Sequence, residues 1–193
     1  MSNVTVATWR TWKNAPTDPP DAVIQAAIDA AEYVIGPTIG RVMVVASGST
    51  TRSFAPVSDR STVLEIDDAT AVTVVAEHGT TISATAYQLE PLNGRDQAGN
   101  VVPYTRIRLL GATFTPTYRG EASVAVTATF GWAALPAAYV EAVKILSADI
   151  LDQKDIRNGV AGFADFGAVR VRENMTVVKL LSRLTRGRAI GPV

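Results

Sequence analysis

The sequence predicts an α+β fold. It reads as a small helical bundle, two long helices plus a short C-terminal helix, with an inserted antiparallel β module of sandwich or barrel-like form. Three observations predict it. Apolar residues recur at helical spacing over about Asp21 to Ile35 and again over about Pro136 to Asp155. Between these segments, over roughly ninety residues, the period changes to two and β-branched residues accumulate. A third amphipathic stretch, Thr176 to Arg186, closes the chain and is basic on one side. On this reading residues 1–40 and 131–156 form a helical platform, 41–130 the inserted β module, and 157–193 a loop and basic helix that together make a docking arm.

The first long helix opens at Asp18-Pro19-Pro20-Asp21, where an aspartate is placed to cap free N–H groups and a proline in the first turn loses no hydrogen bond. Two adjoining apolar stripes follow, Ile24/Ile28/Ala31/Ile35 and Val23/Ala27/Ala30/Val34, and Gly36-Pro37 is expected to stop the helix. Burying its four larger side chains supplies roughly 6–12 kcal/mol. Fixing each of its residues costs about 1–2 kcal/mol, so the helix needs a partner. The second long helix, opened by Leu135-Pro136, offers one: Tyr139, Val143, Leu146 and Ile150 form a stripe with Ala142, Ile145 and Ala148 beside it. Trp9 and Trp12, ahead of the first helix, read as a hydrophobic lid or a subunit contact.

Strands are expected at Arg41–Val45, Thr51–Pro56, Thr62–Glu65, Ala71–Glu77, Thr80–Ala84, Tyr87–Glu90, Thr105–Leu109 and Ala122–Phe130. His78-Gly79 reads as a hairpin turn, and Asn93-Gly94 and Gly99-Asn100 punctuate an exposed loop from Pro91 to Pro103. Phe130-Gly131-Trp132 marks the exit from the last strand and is expected in the core. Beyond the second helix, Arg157–Ala168 has three glycines, no clear period, and Phe163 and Phe166. Asn174 or Thr176 caps the final helix, with Val177, Leu180, Leu181 and Leu184 on one side, Lys179, Arg183 and Arg186 on another, and Gly187 at its end.

Composition narrows the function. With 47% hydrophobic and 19% charged residues in 193, the chain is ordered and large enough to bury a core. No apolar run is long enough to span a bilayer, and Met1–Lys13 has no signal-like apolar block, so folding in the cytoplasm and no membrane partner are expected. Zero cysteines exclude disulfides, thiolate metal sites and cysteine nucleophiles. The single histidine, His78, has a turn setting that suits a solvated residue better than a general base. Gly36–Arg41 lacks the spacing and lysine of a phosphate loop. Asp67-Asp68 reads as a turn former at a strand end or a hard-cation ligand pair. No catalytic set, cofactor site or metal site is assigned, and no enzymatic activity is expected.

Net charge is zero, yet unevenly spread. From Lys154 onward eight basic residues face three acidic ones, +5, and the preceding 153 residues carry 10 basic against 15 acidic, −5. A basic terminal helix of this kind fits a solvated surface, a protein-docking helix or a nucleic-acid contact. Phe163 and Phe166 read as side chains folded back onto their own core or as anchors ordered on a partner; the one-sided charge beside them favours docking on an acidic partner, which includes the body of a neighbouring copy. The docking candidates are Arg157, Phe163, Phe166, Arg170, Arg172, Lys179, Arg183 and Arg186.

In its order of parts the chain resembles the head–tail connector (adaptor) proteins of long-tailed bacteriophages. The resemblance rests on the helix Asp21–Ile35 followed by Gly40-Arg41, the Thr129–Trp132 element (Thr-Phe-Gly-Trp) after a β region, Leu135-Pro136 with an alanine-rich helix behind it, and the Arg157–Arg172 loop before a short terminal helix. It implies a virion protein of the neck at the capsid vertex, forming a homo-oligomeric ring, usually dodecameric, below the portal protein. Such a ring extends the DNA channel, presents a surface to the next neck or tail protein, and lets DNA pass without sequence-specific binding. The alternative is a carbohydrate- or ligand-binding β module with helical flanks.

Overall fold

The computed structural model describes residues 4–58, 61–95, 99, 101–115, 122–159 and 174–186, with the side chains of 153–159 excepted. Its elements run α1 (Val6–Lys13), α2 (Asp21–Ile39), β1 (Thr50–Phe54), β2 (Val63–Glu77), β3 (Thr80–Thr81), β4 (Tyr87–Glu90), β5 (Tyr104–Leu109), β6 (Val124–Phe130), α3 (Ala137–Gly159) and α4 (Met175–Leu181). The chain divides into two compact units, Met1–Arg41 with Leu135–Val193, and Val42–Ala134.

The first unit is helical. In α2 the residues Ile24, Ala27, Ile28, Ala31, Ile35 and Ile39 are buried, the spacing of a single helical face, and α2 packs against α3 as the apolar stripes require. On α3 the buried set is Tyr139, Ala142, Val143, Leu146, Ser147, Ala148 and Leu151, while Ile150 is only half-buried. Gly36-Pro37 does not stop α2. Proline sits in the last turn, where its missing N–H costs one bond, and the helix runs on to Ile39 before Gly40 ends it in a left-handed conformation (φ 65°), donating its N–H to the Gly36 carbonyl at 3.0 Å. Nor does Asp18 cap the helix: Pro20 holds the cap position and no side chain accepts from the first turn.

Two tryptophans organise α1, a helix that hydrophobic period alone does not announce. Thr5 caps it by accepting from the Thr8 N–H at 3.2 Å, and Asn14 closes it at φ 55°. Trp9 is buried and donates from Nε1 to Ser147 Oγ at 2.9 Å, whereas Trp12 is more exposed and donates to Glu141 Oε1 at 2.9 Å. Arg10 fixes the connection to α2 by reaching the Ala15 and Pro19 carbonyls (2.9 and 2.7 Å) and the Asp21 carboxylate (2.6 Å).

The second unit is one six-stranded antiparallel sheet in the order β1-β6-β2-β5-β4, with β3 pairing β2. It is not closed: β1 and β4 are its edges. Where two strands are expected, at Thr62–Glu65 and Ala71–Glu77, the chain makes one strand of 15 residues. The first part of β2 pairs with β5 and the second with β6, with register shifts between Glu65 and Ala69, Ala69 and Ala71, and Val72 and Val74. Each bulge moves the side-chain phase, so Leu64 and Ile66 share the buried face with Ala69 and Val75 despite the change of parity. Arg41–Val45 forms no strand; it contributes a single parallel bridge, Val45 to Trp132. The core gathers Leu64, Ile66, Val75, Ile107, Phe114 and the strictly alternating Val124, Val126, Ala128 and Phe130. His78-Gly79 is the hairpin turn between β2 and β3, at φ 47° and 81°.

Candidate assembly interface

The C-terminal segment is built onto the helical unit from both ends. Asn174 caps α4 by accepting from the Thr176 and Val177 N–H groups, both at 3.1 Å, and its amide donates to Asp149 Oδ2 on α3 at 2.7 Å. Val177 and Leu181 are buried, and α4 packs against α3. After Leu181 the helix yields to a turn, and the Arg186 N–H donates to the Ile39 carbonyl at the end of α2, 2.9 Å away. The expected helix to Arg186 is therefore shorter, ending where the backbone bends to reach α2.

This anchoring decides which side chains remain outside. Met175 is 62% exposed, and Lys179, one helical turn further along α4, and Arg183, in the turn after it, are also exposed. Arg186 is half-buried. Arg157 belongs to α3 and not to a loop, and its side chain lies outside the described residues. Phe163, Phe166, Arg170 and Arg172 also lie outside them, as does Gly187. Of the docking candidates whose side chains are described, Lys179 and Arg183 are the exposed ones.

His78 and the Asp67-Asp68 pair make contacts within the fold. His78 is exposed and its Nε2 meets the Thr115 carbonyl at 3.0 Å. Asp67-Asp68 lies inside β2 and is no strand end. Asp67 pairs with Arg52 at 2.7 Å, while Asp68 is buried and accepts from Trp132 Nε1 at 3.0 Å. Each carboxylate is thus engaged by a different partner, Arg52 outside and Trp132 within. Among the described residues no group of three or more metal-ligating side chains exists, and no helix is long and apolar enough to cross a membrane. An open hollow of about 500 Å³ lined by Ala7, Thr8, Thr11, Trp12 and Lys144 carries one titratable side chain, and that lysine faces Glu141 at 3.9 Å.

The Phe130-Gly131-Trp132 element lies in the core as expected. Gly131 has φ 116°, and a Cβ there would stand 2.8 Å from the Val44 carbonyl oxygen, so only glycine lets the two backbones meet. Trp132 then exchanges backbone bonds with Val44 and Ala46 at 2.8 and 2.9 Å.

No protein-family model matches the chain, and no curated protein is significantly similar to it. Solved structures do share its fold. One is the neck of the native gene transfer agent (GTA) particle with C12 symmetry, 22% identical, matching 98% of this chain and 92% of that chain with a TM-score of 0.56. The neck of the empty particle with C6 symmetry matches at 21% identity, 98% and 93% coverage and a TM-score of 0.56. A chain of the virion of the native particle matches at 23% identity, 98% and 93% coverage and a TM-score of 0.56. At such identity the likeness establishes the fold.

Proposed function

We propose that this chain is a structural virion protein of the neck, a head-to-tail adaptor that forms a ring below the portal, extends the DNA channel and joins capsid to tail. The observation that carries the reading is the end-to-end fold likeness to neck chains, covering 98% of the sequence, in particles reconstructed with C12 and C6 symmetry. A dodecameric ring accords with the first of these symmetries. Its partners are further copies of itself, the portal protein above and a neck or tail protein below. The task is mechanical and needs no turnover, in keeping with a histidine and aspartates spent on the fold. DNA passes without being held, because many phosphate contacts would oppose ejection, and the −5 balance of the first 153 residues suits that.

The C-terminal segment is the docking element in this reading, with Lys179, Arg183 and Arg186 beside Arg157, Phe163, Phe166, Arg170 and Arg172. Deleting the gene from a producing strain tests the whole proposal. DNA-filled heads and separate tails should accumulate, and supplying the chain in trans should restore joined particles carrying it at the neck. Joined particles in normal numbers without the chain would overturn it.

A further inference from the structure

Two exposed strips of the helical unit carry opposite charge, each with one protruding large side chain. On α2 the exposed residues Ala22, Ala26, Asp29 and Tyr33 follow one line, and Tyr33 is 80% exposed among small neighbours. The helix contains Asp21, Asp29 and Glu32 and no basic residue. Asp21 is held by Arg10, whereas among the described residues Asp29 accepts only from the neutral amide of Gln25, at 2.8 Å, and is exposed. On α4 and the turn after it, Met175, Lys179 and Arg183 form the second strip, and residues 174–186 contain no acid. Among the described residues neither Lys179 nor Arg183 meets a carboxylate of its own chain.

The spacings match. Asp29 stands one turn before Tyr33, and Lys179 stands one turn after Met175, so an antiparallel crossing that sets Tyr33 against Met175 also sets Asp29 against Lys179. Tyrosine and methionine are side chains that association surfaces favour, the first rigid and amphipathic, the second adaptable. Because the strips lie on different helices, contact between copies is heterologous, each copy offering α2 to one neighbour and α4 to the other. Such contacts close into rings when the rotation permits.

We infer that the α2 strip of one copy docks on the α4 strip of the next, with Tyr33 packing on Met175 and Asp29 facing Lys179 and Arg183. The inference rests on the ring reading above and names the surface that would build it. The chain has no cysteine, which makes introduced thiols clean reporters at two exposed sites where substitution does not touch the core. Particles assembled with full-length chain carrying both Tyr33→Cys and Met175→Cys are treated with a short bismaleimide and separated on a denaturing gel. A ladder of covalent multimers is expected, with each single-cysteine chain remaining monomeric. Double-cysteine chain that is present at the neck yet stays monomeric overturns the interface and leaves the ring intact. Wild-type chain absent from the neck overturns the ring and the interface with it. A charge swap gives an independent reading: Asp29→Lys should lower incorporation about tenfold or more, and adding Lys179→Asp and Arg183→Asp to the same chain should restore it. Failure of the swap to restore incorporation of a chain that melts like wild type also overturns the interface.

Discussion

The two units handle charge in different ways. On the sheet, acids and bases meet between strands: Glu90 with Arg108 and Glu65 with Arg106 (3.4 Å) on neighbouring strands, and Arg52 of β1 with Asp67 of β2 at 2.7 Å across the intervening β6, its guanidinium 4.2 Å from the Phe130 ring centroid. Cross-strand pairs of this kind fix register and leave little charge over. In the helical unit, pairing concentrates around α1, where Arg10 holds Asp21 and Lys13 reaches Asp152 at 3.3 Å. The outer strip of α2 and the edge of α4 instead keep acids and bases apart. The sheet therefore reads as a module that completes itself, and the helices as a module with surface left for others.

The comparison breaks most severely at the helix pair itself. Leu146 is fully buried on α3, the helix against which α2 and α4 pack. Leu146→Asp places a lone charge there at a cost of several kcal/mol, against a total stability of about 5–15 kcal/mol. Loss of soluble protein or of a cooperative circular-dichroism melt is expected, and a normal melt would contradict the packing. A smaller loss is expected just past the end of β6. Trp132→Phe removes the indole N–H that Asp68 accepts in a buried setting, worth about 1.5–3 kcal/mol for a hydrogen bond to a charged group. The midpoint of thermal unfolding should fall by several degrees, at about 2–4 °C per kcal/mol for a chain of this size.

Those two sites also show what could be read from the sequence. Leu146 and the α2 stripe announced themselves because a long amphipathic period survives any local irregularity. The sheet's class was legible for the same reason, through alternation in Val124–Phe130 and the His78-Gly79 turn. What escaped was local. The bulges of β2 interrupt its alternation around Asp67-Asp68 and make one strand look like two with a turn between them. The eight residues of α1 bury only Trp9, so the caps Thr5 and Asn14, rather than a period, were its signal. Pro37 marked a stop that tertiary packing overrode through Ile39. Of the docking candidates, Lys179 lies on α4 and Arg183 in the turn after it, short of the helix expected to run to Arg186. That α4 is pinned at both ends was not legible, since the Asn174–Asp149 and Arg186–Ile39 bonds join residues distant in sequence.

The sheet's self-sufficiency has a pH signature. The hydrogen bond from the Arg108 guanidinium holds the Glu90 carboxyl below its ordinary 4.5, helped by the charges of Arg108 and Arg106 and opposed by burial. A carboxyl with a lowered folded value contributes stability above its unfolded pKa and loses that contribution as pH falls through the lowered value. Glu90→Gln should therefore cost about 0–1 kcal/mol at neutral pH, as partly exposed pairs do. The gap between mutant and wild-type melting temperatures should narrow once the pH drops below 4.5. A gap that persists unchanged in acid would mean that Glu90 acts through packing and not through its charge.

The smallest effect on stability, and the sharpest contrast with the sheet, belongs to α4. Neutralising Lys179→Gln and Arg183→Gln together removes no pairing within the described residues, and both side chains are exposed. Substitutions at such positions fall within about 0.5 kcal/mol, so the melting curve should be indistinguishable from wild type to within a few degrees. Val177, Leu181 and the Asn174 cap, which hold α4 to α3, are untouched. Incorporation into particles should nevertheless drop. Raising salt should weaken incorporation of the wild type more than that of the neutralised chain, because screening acts only on charges still present. Were the double substitution to lower the melting temperature as far as Trp132→Phe does, these cations would be serving their own fold, and the division between a self-completing sheet and an outward-facing helical edge would fail. Equal incorporation of the two chains at every salt concentration would place the partner elsewhere on the surface.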